Sequence, residues 1–246
     1  MNDATWRPAL WLCARLFATP NHPPLSRSDF HQALSPYTAV SRPLRRVIAL
    51  RTAALSSLMR RADACLPASG AILDAGCGHG QMARWLAREP GREVVGVDGS
   101  GPRVEVARSV KTPANLRFEH ANIDDAITDS DRLWDGFTFV DLLLYLDPKA
   151  QRHVLLCARR AARPLAIMLI KDSITEPAWK RGITRAEERL KLSRGYYGGT
   201  SDGCLTYRSR DKWVALLRET GWEVVEDERT SRLLPYPGWV AVCHPV

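Results

Sequence analysis

Long apolar runs are missing from this 246-residue chain. None approaches the roughly 18 residues that would cross a bilayer, so a membrane-spanning role is not expected. Paired cysteine spacings are missing too. The six cysteines, Cys13, Cys65, Cys77, Cys157, Cys204 and Cys243, show neither a redox pair nor a zinc-ligand spacing. Several lie in apolar runs, where a free thiol acts as a small hydrophobe. A disulfide framework and a metal centre are therefore not expected, and a reducing, cytoplasmic setting is. Acidic residues are the scarcer charge, with 27 Asp and Glu against 35 Lys and Arg and a formal net charge of +8. That excess permits an anionic partner such as RNA or a membrane surface without requiring one. Internal repeats and low-complexity tracts are also lacking.

What remains is an ordinary globular composition, 45% hydrophobic and 25% charged, on a length that supports one sizeable core. Residues 1–66 read as helical and irregular, with no strand signal. The segment WRPALWLCARLF is interrupted by Arg7 and Arg15 and has no clear cleavage site, so it reads as a lid or docking helix rather than a signal peptide. A membrane-surface helix is the alternative. Ser26 or Ser28 is placed to cap a short helix. Residues 41–66 read as one long amphipathic helix with Leu44, Val47, Leu50, Leu55 and Leu58 near one face.

From residue 70 the rhythm changes to short apolar strands alternating with helices. GAILDAG, REVVGVDGS, NLRFEHAN, DGFTFVDLLLYL and PLAIMLIKD hold five strands. That alternation predicts right-handed crossovers and a parallel sheet covered on both faces. Residues 173–206 break the pattern and read as an insert that lines or covers a site. Two final strands, WEVVEDE and GWVAVCHP, follow each other without an intervening helix and should pair antiparallel at one sheet edge.

The stretch ILDAGCGHGQMARWL, residues 72–86, sits at the first strand-to-helix turn. A P-loop would need a lysine after its last glycine, and there is none. A dinucleotide turn would place its third glycine at position 81, which is Gln81. The glycines are Gly76, Gly78 and Gly80, preceded by Asp74. Asp98 ends the second strand 24 positions after Asp74, close to the roughly 20 expected of a ribose-binding acid. A ligand touching the glycine backbone and offering its ribose hydroxyls to Asp98 is a nucleoside, with nothing dedicated to phosphates.

Taken together, LDAGCGHG, VVGVDGS, FEHANID and FTFVDLLLYLD resemble the class I S-adenosylmethionine-dependent methyltransferases over about residues 68–172. The resemblance implies an α/β, Rossmann-like, doubly wound and mostly parallel seven-stranded sheet with an antiparallel C-terminal edge strand. A helical N-terminal lid over 1–66 would precede a methyltransferase domain over 67–246 that carries the insert. It implies S-adenosyl-L-methionine as cofactor and S-adenosyl-L-homocysteine as product. Asp74, Ala75, Gly76 and Gly78 would line the methionine part, Gly80 would open the helix, and Asp98 would hold the ribose with Gly99 and Ser100 beside it. Asn122 and Ile123 would meet the adenine. Asp141, Leu142 and Tyr145 would follow the fourth strand where cofactor and substrate meet, and Lys171 or Asp172 would orient substrate or act as base. Asp141, Tyr145 and Lys171 are the candidate catalytic residues, Asp141 also touching the cofactor.

Other residues carry weaker expectations. His79 could touch substrate or only seat its helix. His120 and His153 read as structural or surface residues, and Asp124 and Asp125 as helix-terminal acids. Trp179, Tyr196, Tyr197, Tyr207 and Trp239 are grouped as a suggestive aromatic wall. The segments Tyr207–Arg208–Ser209 and Pro235–Tyr236–Pro237 resemble bacterial methyltransferases of aryl-polyene or polyketide-type biosynthesis. That likeness implies O-methylation of a hydroxylated or carboxylated small molecule, aromatic or carrier-bound. Methylation of RNA or protein, and a cofactor-binding domain without turnover, are the alternatives. No Asn-Pro-Pro-Tyr-like signature follows the fourth strand, which argues against nucleobase amines and leaves nucleic acid outside the expected partners.

Overall fold

The computed structural model describes residues 7–15, 18, 21–128, 132–180, 182, 186, 189–190, 205–230 and 237–246. Three helices come first: α1(Arg7–Ala14), α2(Arg27–Leu34) and α3(Arg42–Cys65). A 3-10 turn, Ser35–Ala39, separates the last two. The alternating part runs β1(Gly70–Ala75), α4(Gln81–Leu86), β2(Arg92–Asp98), α5(Gly101–Ser109), β3(Leu116–His120), α6(Ile123–Thr128) and β4(Trp134–Val140). It continues with a 3-10 turn, Leu143–Tyr145, then α7(Pro148–Arg160), β5(Ala162–Ser173), α8(Arg210–Glu219), β6(Trp222–Arg229) and β7(Gly238–Pro245). Among the described residues, no helix is long and apolar enough to cross a membrane.

The seven strands lie in the order β3-β2-β1-β4-β5-β7-β6. The β1–β2, β2–β3, β1–β4 and β4–β5 pairs are parallel, while β7 runs antiparallel to both β5 and β6. Strand order reverses at β1, so the loops after β1 and β4 leave in opposite directions and open a crevice at their carboxyl ends. Successive strand residues serve opposite faces. Ile72, Val94 and Leu169 enter one core with Phe30, Ile48, Met59 and Trp85. Leu73, Val95 and Ile170 enter the other with Phe137, Leu155, Trp213 and Trp222. Burial on both faces is why these strands are apolar without alternation.

The terminal strands pair antiparallel at one sheet edge, as expected, and one expectation about α3 is corrected below. β7 is inserted between β5 and β6, and β6 forms the edge. The reason is polarity: Gly238–Cys243 are all buried, whereas WEVVEDER carries four acids along a largely open strand, and edge strands tolerate charge. On α3, Leu55 and Leu58 are buried, but Leu50 is 53% exposed. The buried stripe instead runs Ile48, Thr52, Leu55, Met59 and Ala62, at spacings of three and four. Leu50 lies roughly 200° around the helix from Ile48.

The helix α3 is joined to α4 and to the sheet edge by specific bonds. Trp85 Nε1 donates to Met59 O at 2.9 Å, and Arg61 Nη1 donates to Glu228 Oε1 of β6 at 2.6 Å. Ser26 caps α2 by accepting from Asp29 N–H at 3.1 Å.

Candidate functional site

The turn between β1 and α4 forces the backbone into conformations that favour glycine. Gly76, Gly78 and Gly80 have φ of 73°, 55° and 84°. Gly76 N–H and Cys77 N–H both donate to Val97 O, at 2.8 and 2.9 Å, which lashes the turn to β2. The glycines differ in what surrounds them. A Cβ at Gly80 would lie 2.5 Å from Phe118 Cζ, whereas one at Gly78 would meet nothing within 4 Å. Gly80 is therefore required by packing, and Gly78 leaves an open cradle. Gly80→Ala is expected to destabilise the fold by about 2–4 kcal/mol, from overpacking and the left-handed backbone together. Gly78→Ala should cost about 1–2 kcal/mol, from the backbone alone. Urea unfolding of the two variants checks the difference.

Asp98 faces this cradle from the end of β2 and is buried. Its Oδ2 accepts from Gly78 N–H and its Oδ1 from Ser100 N–H, both at 2.8 Å. Each carboxylate oxygen keeps a second lone pair. Gly99 O lies 3.1 Å from His120 Nε2, so His120 supports this loop. Asp74, buried at the end of β1, accepts from Thr138 Oγ1 at 2.6 Å through Oδ1. Burial pushes its carboxyl up to about 7, opposed by the Thr138 hydrogen bond.

The opposite side of the crevice is charged. Asp141 follows β4 with φ 52°, the one non-glycine positive φ among the described residues. Such a backbone is strained for aspartate and concentrates at functional sites. Its Oδ1 is bonded to Lys171 Nζ, and its Oδ2 accepts from Arg51 Nη1 at 3.1 Å. Burial works to raise its carboxyl, but Lys171 and Arg51 outweigh burial and hold it below the usual range. Tyr145 is half-buried at the end of the 3-10 turn. Arg51 went unnoticed in the sequence because it is one arginine of many on α3, and only helix rotation aims it at Asp141. Tyr37 of the N-terminal region also reaches the site: its hydroxyl donates to His79 O at 2.8 Å. Burial, helped by Arg103, pushes the His79 imidazole down to about 4, so the ring is neutral at neutral pH.

Residues 72–165, which contain the glycine turn, Asp98 and Asp141, match a family described as a methyltransferase domain. Residues 72–165 therefore form a methyltransferase domain, on the Rossmann-like fold that the solved methyltransferases share. The ubiquinone biosynthesis O-methyltransferase of Pectobacterium atrosepticum is 25% identical over 174 residues, 66% of this chain and 69% of that protein. The same-named protein of Alkalilimnicola ehrlichii is 31% identical over 91 residues, 36% of each chain. Magnesium protoporphyrin IX methyltransferase of Synechocystis PCC 6803 superposes with a TM-score of 0.60 at 17% identity, covering 89% of this chain and 94% of that one. Burkholderia thailandensis 1,6-didemethyltoxoflavin-N1-methyltransferase gives 0.58 at 17% identity, with 94% and 95% covered. At such identities the superpositions establish the fold. Both of those solved structures hold bound S-adenosylhomocysteine. The open cradle at Gly78 and the spare lone pairs of Asp98 fit that nucleoside.

Other sequence candidates of the methyltransferase fall as follows. Asn122 is exposed just before α6, its Nδ2 donating to Asp125 Oδ2 at 3.2 Å, and Ile123 begins the helix. Asp124 and Asp125 occupy the first turn of α6, where acids suit the helix dipole. His153 is 60% exposed, 3.7 Å from Asp124. Of the grouped aromatic residues, Trp239 and Trp179 do not share a wall. Trp239 is fully buried in the sheet, its Nε1 donating to Asp227 Oδ2 at 2.7 Å, while Trp179 is 62% exposed. Trp239 alternates inward on a strand covered on both faces, which sends it to the core. Tyr196, Tyr197, Pro235 and Tyr236 lie outside the described residues. Arg208 Nε donates to Gln151 Oε1 at 2.6 Å, and Ser209 caps α8 by accepting from Lys212 N–H at 3.2 Å. Among the described residues, no group of three or more His, Cys, Asp or Glu side chains is placed to hold a metal ion.

Proposed function

We propose that this methyltransferase methylates a hydroxyl or carboxyl oxygen of a small molecule in bacterial secondary metabolism. The observation that carries the reading is the Arg51–Asp141–Lys171 bridge facing Asp98 and the glycine turn across the crevice. When bound, S-adenosylmethionine supplies a sulfonium methyl open to in-line attack. Asp98 holds the ribose hydroxyls, with Gly99 and Ser100 beside it. Asp74, Ala75, Gly76 and Gly78 border the methionine part, and Asn122 with Ile123 border the adenine. Arg51 and Asp141 present paired charges that suit the methionine carboxylate and ammonium. Tyr145 and Lys171 face the acceptor.

Asp141, held below the usual carboxylate range by two cations, is a weak base. The site therefore suits an acceptor that gives up its proton easily, such as a carboxylic acid or a phenol. Two cations against one carboxylate favour the resulting oxyanion. The names of the O-methyltransferase relatives support oxygen as the accepting atom. The N-terminal helices, which reach the site through Tyr37 and Arg51, act as a cover that excludes water.

The experiment is transfer from methyl-labelled cofactor into an extract of the source organism, with Asp98→Ala as control. Solvent-extractable label that depends on Asp98 is the expected result. Label that precipitates and is released by nuclease or protease would overturn the small-molecule reading.

A further inference from the structure

Asp172 is the penultimate residue of β5, is 1% exposed, and has no part in the transfer described above. Its two oxygens accept backbone N–H groups from different elements. Oδ2 takes Leu144 N–H at 3.0 Å, and Oδ1 takes Ser173 N–H at 2.7 Å. The first bond ties the 143–145 turn to the end of β5. The same turn is held from its far side. Leu144 O accepts from Thr206 N–H at 2.8 Å, and Leu143 O accepts from Gln151 Nε2 at 2.8 Å. The turn ends in Tyr145 and follows Leu142, which packs over the glycine turn: a Cβ at Gly76 would lie 3.0 Å from Leu142 Cδ1. One buried carboxylate thus anchors a turn that reaches both sides of the crevice.

We propose that Asp172 is a positioning residue for methyl transfer, its ionised carboxylate fixing the 143–145 turn and so the placement of Tyr145 and Leu142 against the cofactor cradle. The inference rests on the reading that Tyr145 faces the acceptor across the cofactor cradle. Charge matters because a carboxylate is an acceptor only, whereas a carboxylic acid must spend one position on its own O–H. With an N–H already at each oxygen, the added proton competes with a clamp bond. Burial pushes the Asp172 carboxyl up to about 7, and the Asp141 charge adds to this. Lys171 and the two N–H groups oppose the rise. Beyond Asp141 stands Arg51, and across the register on β7 stands Trp239, uncharged and bonded to Asp227. The clamp therefore tightens as pH rises through about 7.

The test is amide NMR on the full chain with bound S-adenosylhomocysteine, from about pH 5.5 to about 8.5. In the wild type, the Leu144 and Ser173 amides should titrate together with an inflection near neutrality. In Asp172→Asn the inflection should vanish, Leu144 should exchange its hydrogen about tenfold faster, and S-adenosylhomocysteine affinity should stay within about threefold. Asp74 is also pushed up to about 7, so the inflection at Leu144 must persist in Asp74→Asn. Once an acceptor is known, kcat of Asp172→Asn should fall about tenfold and lose its rise through neutrality. A flat Leu144 titration in the wild type, or one that survives in Asp172→Asn, would overturn the proposal. The wild-type titration decides even if the variant does not fold. Because these amides report without any acceptor, a failed search for the substrate leaves the clamp independently judged.

Discussion

Asp98→Ala is expected to weaken S-adenosylhomocysteine binding by about 100-fold or more, measured by calorimetry on folded protein. A hydrogen bond to a charged group contributes about 1.5–3 kcal/mol. Two ribose hydroxyls on one carboxylate therefore represent at least about 3 kcal/mol, which is roughly two decades in Kd. A second loss adds to the first. The same carboxylate holds Gly78 N–H and Ser100 N–H, each at 2.8 Å, and alanine leaves both without that acceptor. The cradle would relax just where the nucleoside backbone must approach. Asp98→Asn keeps one carbonyl oxygen but turns a donor toward one of those N–H groups, so an intermediate loss of about tenfold is expected. Binding within about threefold of wild type in Asp98→Ala would remove Asp98 from the ribose site.

Why Asp98 was legible and Arg51 was not comes down to the range of the determining forces. The glycine turn and Asp98 are specified locally. Positive φ demands glycine, an apolar run ending in an acid marks a strand terminus, and parallel pairing of β1 with β2 brings the two together. Lys171 and Asp141 were legible for the same reason, since both stand at strand ends that pair in register, Val140 against Lys171. Arg51 depends on how α3 is rotated. That rotation is set by the buried stripe of Ile48, Thr52, Leu55, Met59 and Ala62, which leaves Leu50 outside it. The exposed Leu50 and the site-facing Arg51 are two results of one misjudged helix phase. The order β5-β7-β6 was hidden for a related reason. Adjacent strands without a helix between them announce antiparallel pairing, but which of the two becomes the edge follows from comparing their charge. Trp239 was not legible as a core residue because the side chain that lines a pocket is also the one that fills a core, and Trp239 fills it.

Arg61→Ala is expected to lower the stability of the whole chain by about 3–5 kcal/mol. Arg61 lies on α3 with a side chain 1% exposed, and its partner Glu228 on β6 is 7% exposed. Nη1 reaches Glu228 Oε1 at 2.6 Å, and Nη2 lies 3.1 Å from Glu226 Oε1. Removing one member of a buried pair strands the other charge in a poor solvent, which is the source of that magnitude. In a chain of this size it amounts to a fall in Tm of about 10 °C. The effect should change little with salt, because buried pairs are weakly screened. Replacing both partners at once, Arg61→Met with Glu228→Met, should recover most of the loss, since two apolar side chains leave no orphaned charge. The form of the transition carries the functional content. Arg51 stands ten residues earlier on the same helix, roughly 15 Å along its axis. If α3 is part of the folding unit, Arg61→Ala shifts one cooperative transition and leaves S-adenosylhomocysteine affinity nearly intact well below the new Tm. If α3 is a detachable cover, the variant frees it locally. Affinity then falls while the main transition stays in place, because the Arg51–Asp141 contact depends on where that helix is docked.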